Sequence, residues 1–199
     1  MFGRLFRKKT YTRDRARALT AQFLRQHMAA SAARIHAWDL PEHFDENDAG
    51  RAPDGSGPDT QTAADRYIAY AVFLAIHVYG QCSPLLPQTG DEDEGISFAG
   101  TVLMGGLGVG PEVARDLFFS VLGKLPRTDD GQRLNLGEIE GLPDAERRSV
   151  MLWEIAAEDA AVAVRAFAEG RTSIDLSDHD FEPLAQWLEY PVGTDGERS

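Results

Sequence analysis

Through most of the chain apolar residues return every three to four positions, the period of an amphipathic helix. From Thr12, a suitable helix cap, to Trp38 there is neither proline nor glycine, and Leu19, Phe23, Met28, Ile35 and Trp38 fall near one side before Pro41 ends the run. A second helix is predicted over 62–79, ending at Gly80. Its core, YIAYAVFLAIHVY, is apolar nearly all round, as in an element packed on several sides. A third helix is predicted over 96–107. Pro111 opens a fourth that turns Val113, Leu117, Phe118, Val121 and Leu122 inward. The longest begins at Pro143 and stops at Gly170, and Ser177 or Asp178 would cap a last one holding Phe181, Leu184, Trp187 and Leu188.

These elements predict an all-α protein: an irregular single-domain bundle of about five to seven helices around the apolar second helix. The stretch RLNLGEIEG alternates briefly and leaves room for one minor strand pair. Residues 1–11 form a basic arm, 12–190 the domain and 191–199 a frayed tail. Within the domain, 39–61 reads as a mobile acidic loop, rich in turn formers and poor in anything to bury.

The glycine-rich stretch ISFAGTVLMGGLGVG raises the question of a phosphate cradle, and counting answers it. A dinucleotide fingerprint starting at Gly106 and Gly108 meets Pro111 where its third glycine belongs. A P-loop ending at Gly123 and Lys124 has Phe118 in place of its first glycine and Leu125 in place of its hydroxyl. Glycines such as Gly100 and Gly105 are therefore expected to let another backbone approach closely.

One polar residue breaks the helical pattern. At 100° per residue, Asp159 stands within about 60° of Leu152, Ile155, Ala156, Val162, Ala163 and Ala166, in the middle of an apolar face. A carboxylate placed there needs a partner or a cavity. On the second helix Arg66, Tyr70 and His77 fall within about 40° of one another and form a polar stripe on an apolar element. The expectation is a buried network of Arg66, Tyr70, His77 and Asp159, with Asp159 pairing with Arg66 or His77.

Patterned metal sites are absent. His27, His36, His43, His77 and His179 show no H-E-x-x-H, no E-x-x-H and no Cys–His pairing, so no metal and no cofactor are expected. His179 and Asp180 resemble the paired ligands of helical metal-dependent phosphohydrolases, a pattern whose later ligands would need a further long helix, for which the stretch after Asp180 leaves no room. The run DENDAG keeps Asp45, Asn47 and Gly50 in register with a calcium loop, but Ala49 and Ser56 replace two of its ligands. Cys82 cannot form an internal disulfide, follows a helix end and has nothing beside it in sequence to activate it. No catalytic signature survives.

Charge is sorted along the chain. Residues 1–36 hold nine Lys or Arg against one acid, Asp14, whereas the whole chain of 199 residues carries 20 basic and 32 acidic residues, a net charge of −12. An acidic body repels nucleic-acid backbones. With a single cysteine, no export signal and no membrane span, a bacterial cytoplasmic protein is expected. The leading expectation is a non-enzymatic binder of a basic protein partner, similar in size and charge to small bacterial toxin-immunity proteins. Glu42, Asp45, Glu46, Asp48, Asp91, Glu92, Asp93 and Glu94 would make the contact. The alternative is a helical enzyme or small-molecule binder with a pocket at Arg66, Tyr70, His77 and Asp159. A third reading attaches residues 1–9 to an anionic membrane surface.

Overall fold

The structure, a computed structural model, describes residues 11–34, 63–88, 93–123, 144–181 and 183–184. Within them the chain is all-α, with five helices and no strand: α1 (Arg13–Arg34), α2 (Ala63–Cys82), α3 (Glu94–Leu107), α4 (Pro111–Leu122) and α5 (Asp144–Glu169). A 3-10 turn, Ser83–Leu85, follows α2. The basic segment 1–10, the loop 39–61, the alternating stretch 133–141 and the tail 191–199 lie outside the described residues.

Helix ends follow local chemistry. Thr12 Oγ1 accepts the Arg15 backbone N–H at 3.3 Å and caps α1. Gly108 at φ 74° and Gly170 at φ 84° take the left-handed conformation that closes α3 and α5, and Pro111 stands in the first turn of α4. The end of α2 differs from the sequence expectation. The helix passes through Gly80 to Cys82, because a glycine in open space is a weak stop, whereas Pro84 in the following 3-10 turn enforces one.

The core is built around α2, whose residues Arg66 to Ala75 are all buried. It packs most extensively on α5 and also touches α1, α3 and α4. By length and composition α2 could cross a membrane, but 56% of that apolar window is buried inside the protein. Phe23, Leu24, Tyr67, Tyr70, Phe73, Phe98, Leu103 and Phe167 fill the interior with fully buried rings and branched chains. Cys82, the last residue of α2, is fully buried, and burial pushes its thiol up to about 11, so it is unreactive.

α1 is fastened by its arginines. Arg15 donates to Phe167 O at 2.6 Å and Arg171 O at 3.0 Å at the end of α5, while Arg25 donates to Gly105 O at the end of α3. These carbonyls lie at or just beyond helix C-termini, where a cation suits the negative end of the helix dipole. Arg13 donates to Pro87 O and pairs with Glu94. Arg13, Arg15 and Arg25 are thus bonded to the protein's own carbonyls and to Glu94.

Candidate metal centre

α5 carries Asp159 on the face that meets α2 and α1, with its side chain 12% exposed. Tyr70, one turn along α2 from buried Arg66, donates its hydroxyl to Asp159 Oδ2 at 2.5 Å. Two histidines converge on the same carboxylate. His27 of α1, wholly buried, brings Nε2 to 3.7 Å from Oδ2, and His179, on the segment after α5, brings Nε2 to 3.5 Å from Oδ1. Aromatic rings enclose the cluster: Phe23, Tyr70 and Phe181 lie 5.4, 5.2 and 4.9 Å from the His27 ring.

Burial sets the protonation of every member. It lowers His27 to about 3, with His179 adding to the effect, and it lowers His179 against the opposing pull of Asp180. Both imidazoles are therefore neutral near pH 7 and keep a lone pair. Burial raises Asp159 to about 6; the Tyr70 hydrogen bond opposes this, and Glu158 and Asp180 add to it. Tyr70 is pushed well up by burial and by the Asp159 charge, so its hydroxyl stays protonated and remains a donor.

The geometry suits a cation. One ligand-type atom from each of His27, Asp159 and His179 lies within 4.8 Å of the others, the one such group among the described residues. Ligand atoms on a tetrahedral ion with bonds of about 2.0–2.2 Å stand about 3.3–3.6 Å apart. The two nitrogen-to-carboxylate distances, 3.7 and 3.5 Å, are already near that edge length. His179 Nε2 is buried, makes no hydrogen bond among the described residues and faces the carboxylate. Two imidazoles and one carboxylate make up a donor set of catalytic zinc and non-haem iron sites, and three protein ligands leave a fourth position for water or another ligand. Tyr70 occupies the place of an outer-shell group that orients the carboxylate.

The sequence-selected network separates in three dimensions. The described groups that bond or pair with Asp159 are Tyr70, His27 and His179, and neither Arg66 nor His77 is among them. His77, half-buried, lies instead against Trp153 with ring centroids 4.1 Å apart. The helical projection puts Arg66, Tyr70 and His77 on one stripe, but a stripe about three turns long faces different neighbours at its two ends.

Sequence reasoning passed over His27 and His179 as ligands. His27 lies about 40° from Phe23 on the helical projection, so the test that isolated Asp159 would have isolated it as well. His179 sits on an irregular segment, where no periodicity exists to expose it. Of the acidic contact residues, Asp93 is exposed, whereas Glu94 is half-buried and held by Arg13. Glu42, Asp45, Glu46, Asp48, Asp91 and Glu92 lie outside the described residues. No protein-family model matches the chain, and neither curated proteins nor solved structures yield a match.

Proposed function

We propose that this irregular helical bundle is a metal-binding protein that holds one divalent transition ion between His27, Asp159 and His179. The observation that carries this reading is the convergence of two neutral imidazoles on one buried, tyrosine-oriented carboxylate, with one ligand-type atom from each residue within 4.8 Å of the others. With three protein ligands the ion keeps an open position, which suits the capture or polarisation of a small ligand more than a purely structural clamp. Histidine nitrogen favours zinc, cobalt, nickel, copper or iron over magnesium and calcium.

Cobalt(II) titration of the chelator-treated full chain is the direct test. One equivalent is expected to bind, with the intense visible bands of low coordination. Binding should be lost in Asp159→Asn and retained in His77→Gln, because His77 packs on Trp153 outside the cluster. Absence of binding at micromolar cobalt and zinc, or equal loss in both variants, would sink the proposal.

A second reading is favoured by the distribution of charge. Arg13, Arg15 and Arg25 of α1 are engaged by the protein's own carbonyls and by Glu94, and Arg17 pairs with Asp14, while Asp93, Glu112, Asp116, Glu158 and Asp178 are exposed. This supports an acidic exterior that docks a basic protein partner in the cytoplasm, and it is compatible with a metal centre inside.

A further inference from the structure

The three ligand-bearing residues stand on segments of different character. His27 and Asp159 belong to the long helices α1 and α5, whereas His179 belongs to the irregular stretch 171–181 that follows α5. That stretch is held at its start by the Arg15 bond to Arg171 O and by buried Ile174, while most of its other residues are exposed. Arg171, Thr172, Ser173, Asp175, Ser177, Asp178 and Asp180 are exposed, and its internal order rests on short turns, with His179 N–H bonded to Leu176 O at 3.1 Å and Ser177 N–H to Asp175 Oδ1 at 3.0 Å. Its ties to α1 include the Ile174 N–H to Gln22 Oε1 bond, at 3.3 Å, and ring contacts of His179 and Phe181 with His27 at 5.5 and 4.9 Å. Segments with few buried contacts and short-range hydrogen bonds open at a small fraction of the global unfolding cost.

Ile174 and Leu176 pack on the apolar core, but at His179 the inner side of this segment is polar. His179 Nε2, buried and without a hydrogen bond among the described residues, stands 3.5 Å from Oδ1 of the 12% exposed Asp159 side chain. A buried polar group in that position detracts from docking until something satisfies it. A cation would do so for the imidazole and the carboxylate together, joining the segment to α1 and α5 through coordinate bonds.

Resting on the metal-binding reading, we infer that the ion is a latch: its binding docks the segment 171–181 onto α1 and α5, and its loss releases that segment while the five helices stay folded. Metal availability thereby becomes a conformational signal at the end of α5. Linkage requires the same coupling in the other direction, so a chain whose segment is held away binds the ion more weakly.

Hydrogen exchange of the full chain, with cobalt(II) and with a chelator, tests this while the visible cobalt bands report occupancy independently. Amides of 174–181 are expected to exchange at least about tenfold more slowly in the loaded protein, against a much smaller change in α2. His179→Ala alters the segment and not the helices; it should bind cobalt more weakly and show no such slowing. Cobalt bands with unchanged exchange over 174–181 would overturn the latch and leave the metal site standing. Slowing that persists in His179→Ala would also overturn it. Absence of cobalt bands in the parent chain would overturn both readings.

Discussion

A carboxylate in the middle of an apolar helix face demands an explanation, and Asp159 receives one from three sides. Its two oxygens divide the work: Oδ2 accepts the Tyr70 hydroxyl at 2.5 Å, and Oδ1 faces His179 at 3.5 Å. Tyr70 thereby fixes the plane of the carboxylate before any ion arrives. Removing its hydroxyl leaves Asp159 free to rotate and returns one buried lone pair to a place without water. Tyr70→Phe is therefore expected to lower zinc affinity by about 10- to 100-fold with the helical circular dichroism unchanged, as read by competition with a chromogenic chelator. An unchanged affinity would mean that Asp159 is oriented by something else. Asp159 was legible in the sequence because a charge on a periodic apolar face is an anomaly. Of its partners, Tyr70 stood in the expected network, but His27 and His179 did not, since side-chain direction across an interface depends on how the elements are rotated against each other.

At the level of elements, the contact between α1 and α3 shows what the glycine-rich stretch is for. A Cβ at Gly106 would stand 2.8 Å from Leu24 Cδ1 and 3.0 Å from Leu24 Cβ, and one at Gly105 would stand 3.1 Å from Ala21 Cβ. Gly100, in the same helix, has nothing within 4 Å. The two positions therefore respond oppositely to the same substitution. Gly106→Ala is expected to destabilise the fold by about 1–3 kcal/mol through overpacking, whereas Gly100→Ala is expected to stabilise it by about 0.5–1 kcal/mol through backbone entropy, both measured by urea unfolding. Similar values for the two would show that α1 and α3 do not pack as described. The helices themselves were readable from apolar spacing and from Thr12, Pro111 and Gly170, since those signals act within a few residues. Which glycines are crowded depends on what lies opposite them, and Gly100, expected to admit a close backbone, is in fact open.

For the molecule as a whole, the net charge of −12 sets up a negative field, and among the described residues Asp93, Glu112, Asp116, Glu158 and Asp178 are exposed. Such a field accelerates encounter with a basic partner and loses its reach as salt screens it. Under the partner-binding reading, changing Asp91, Glu92 and Asp93 to amides is expected to abolish capture of a basic partner from host extract, and raising the salt should do the same for the parent chain. Capture indifferent to both would dismiss that reading. Glu94 is left out of the substitution because its pairing with Arg13 makes it a structural group.

The sequence by itself determined the all-α class, the heavily buried second helix, the places where several helices start and stop, and the sorting of charge. Each of these is set by neighbours along the chain, through hydrogen-bond spacing, backbone torsion and the cost of exposing apolar side chains. Only the tertiary structure decided that His27, Asp159 and His179 share one site. They come from the first helix, the last long helix and an irregular segment beyond it, and their meeting depends on how α1 and α5 pack about α2, a property of helix rotation and distance that no local rule carries.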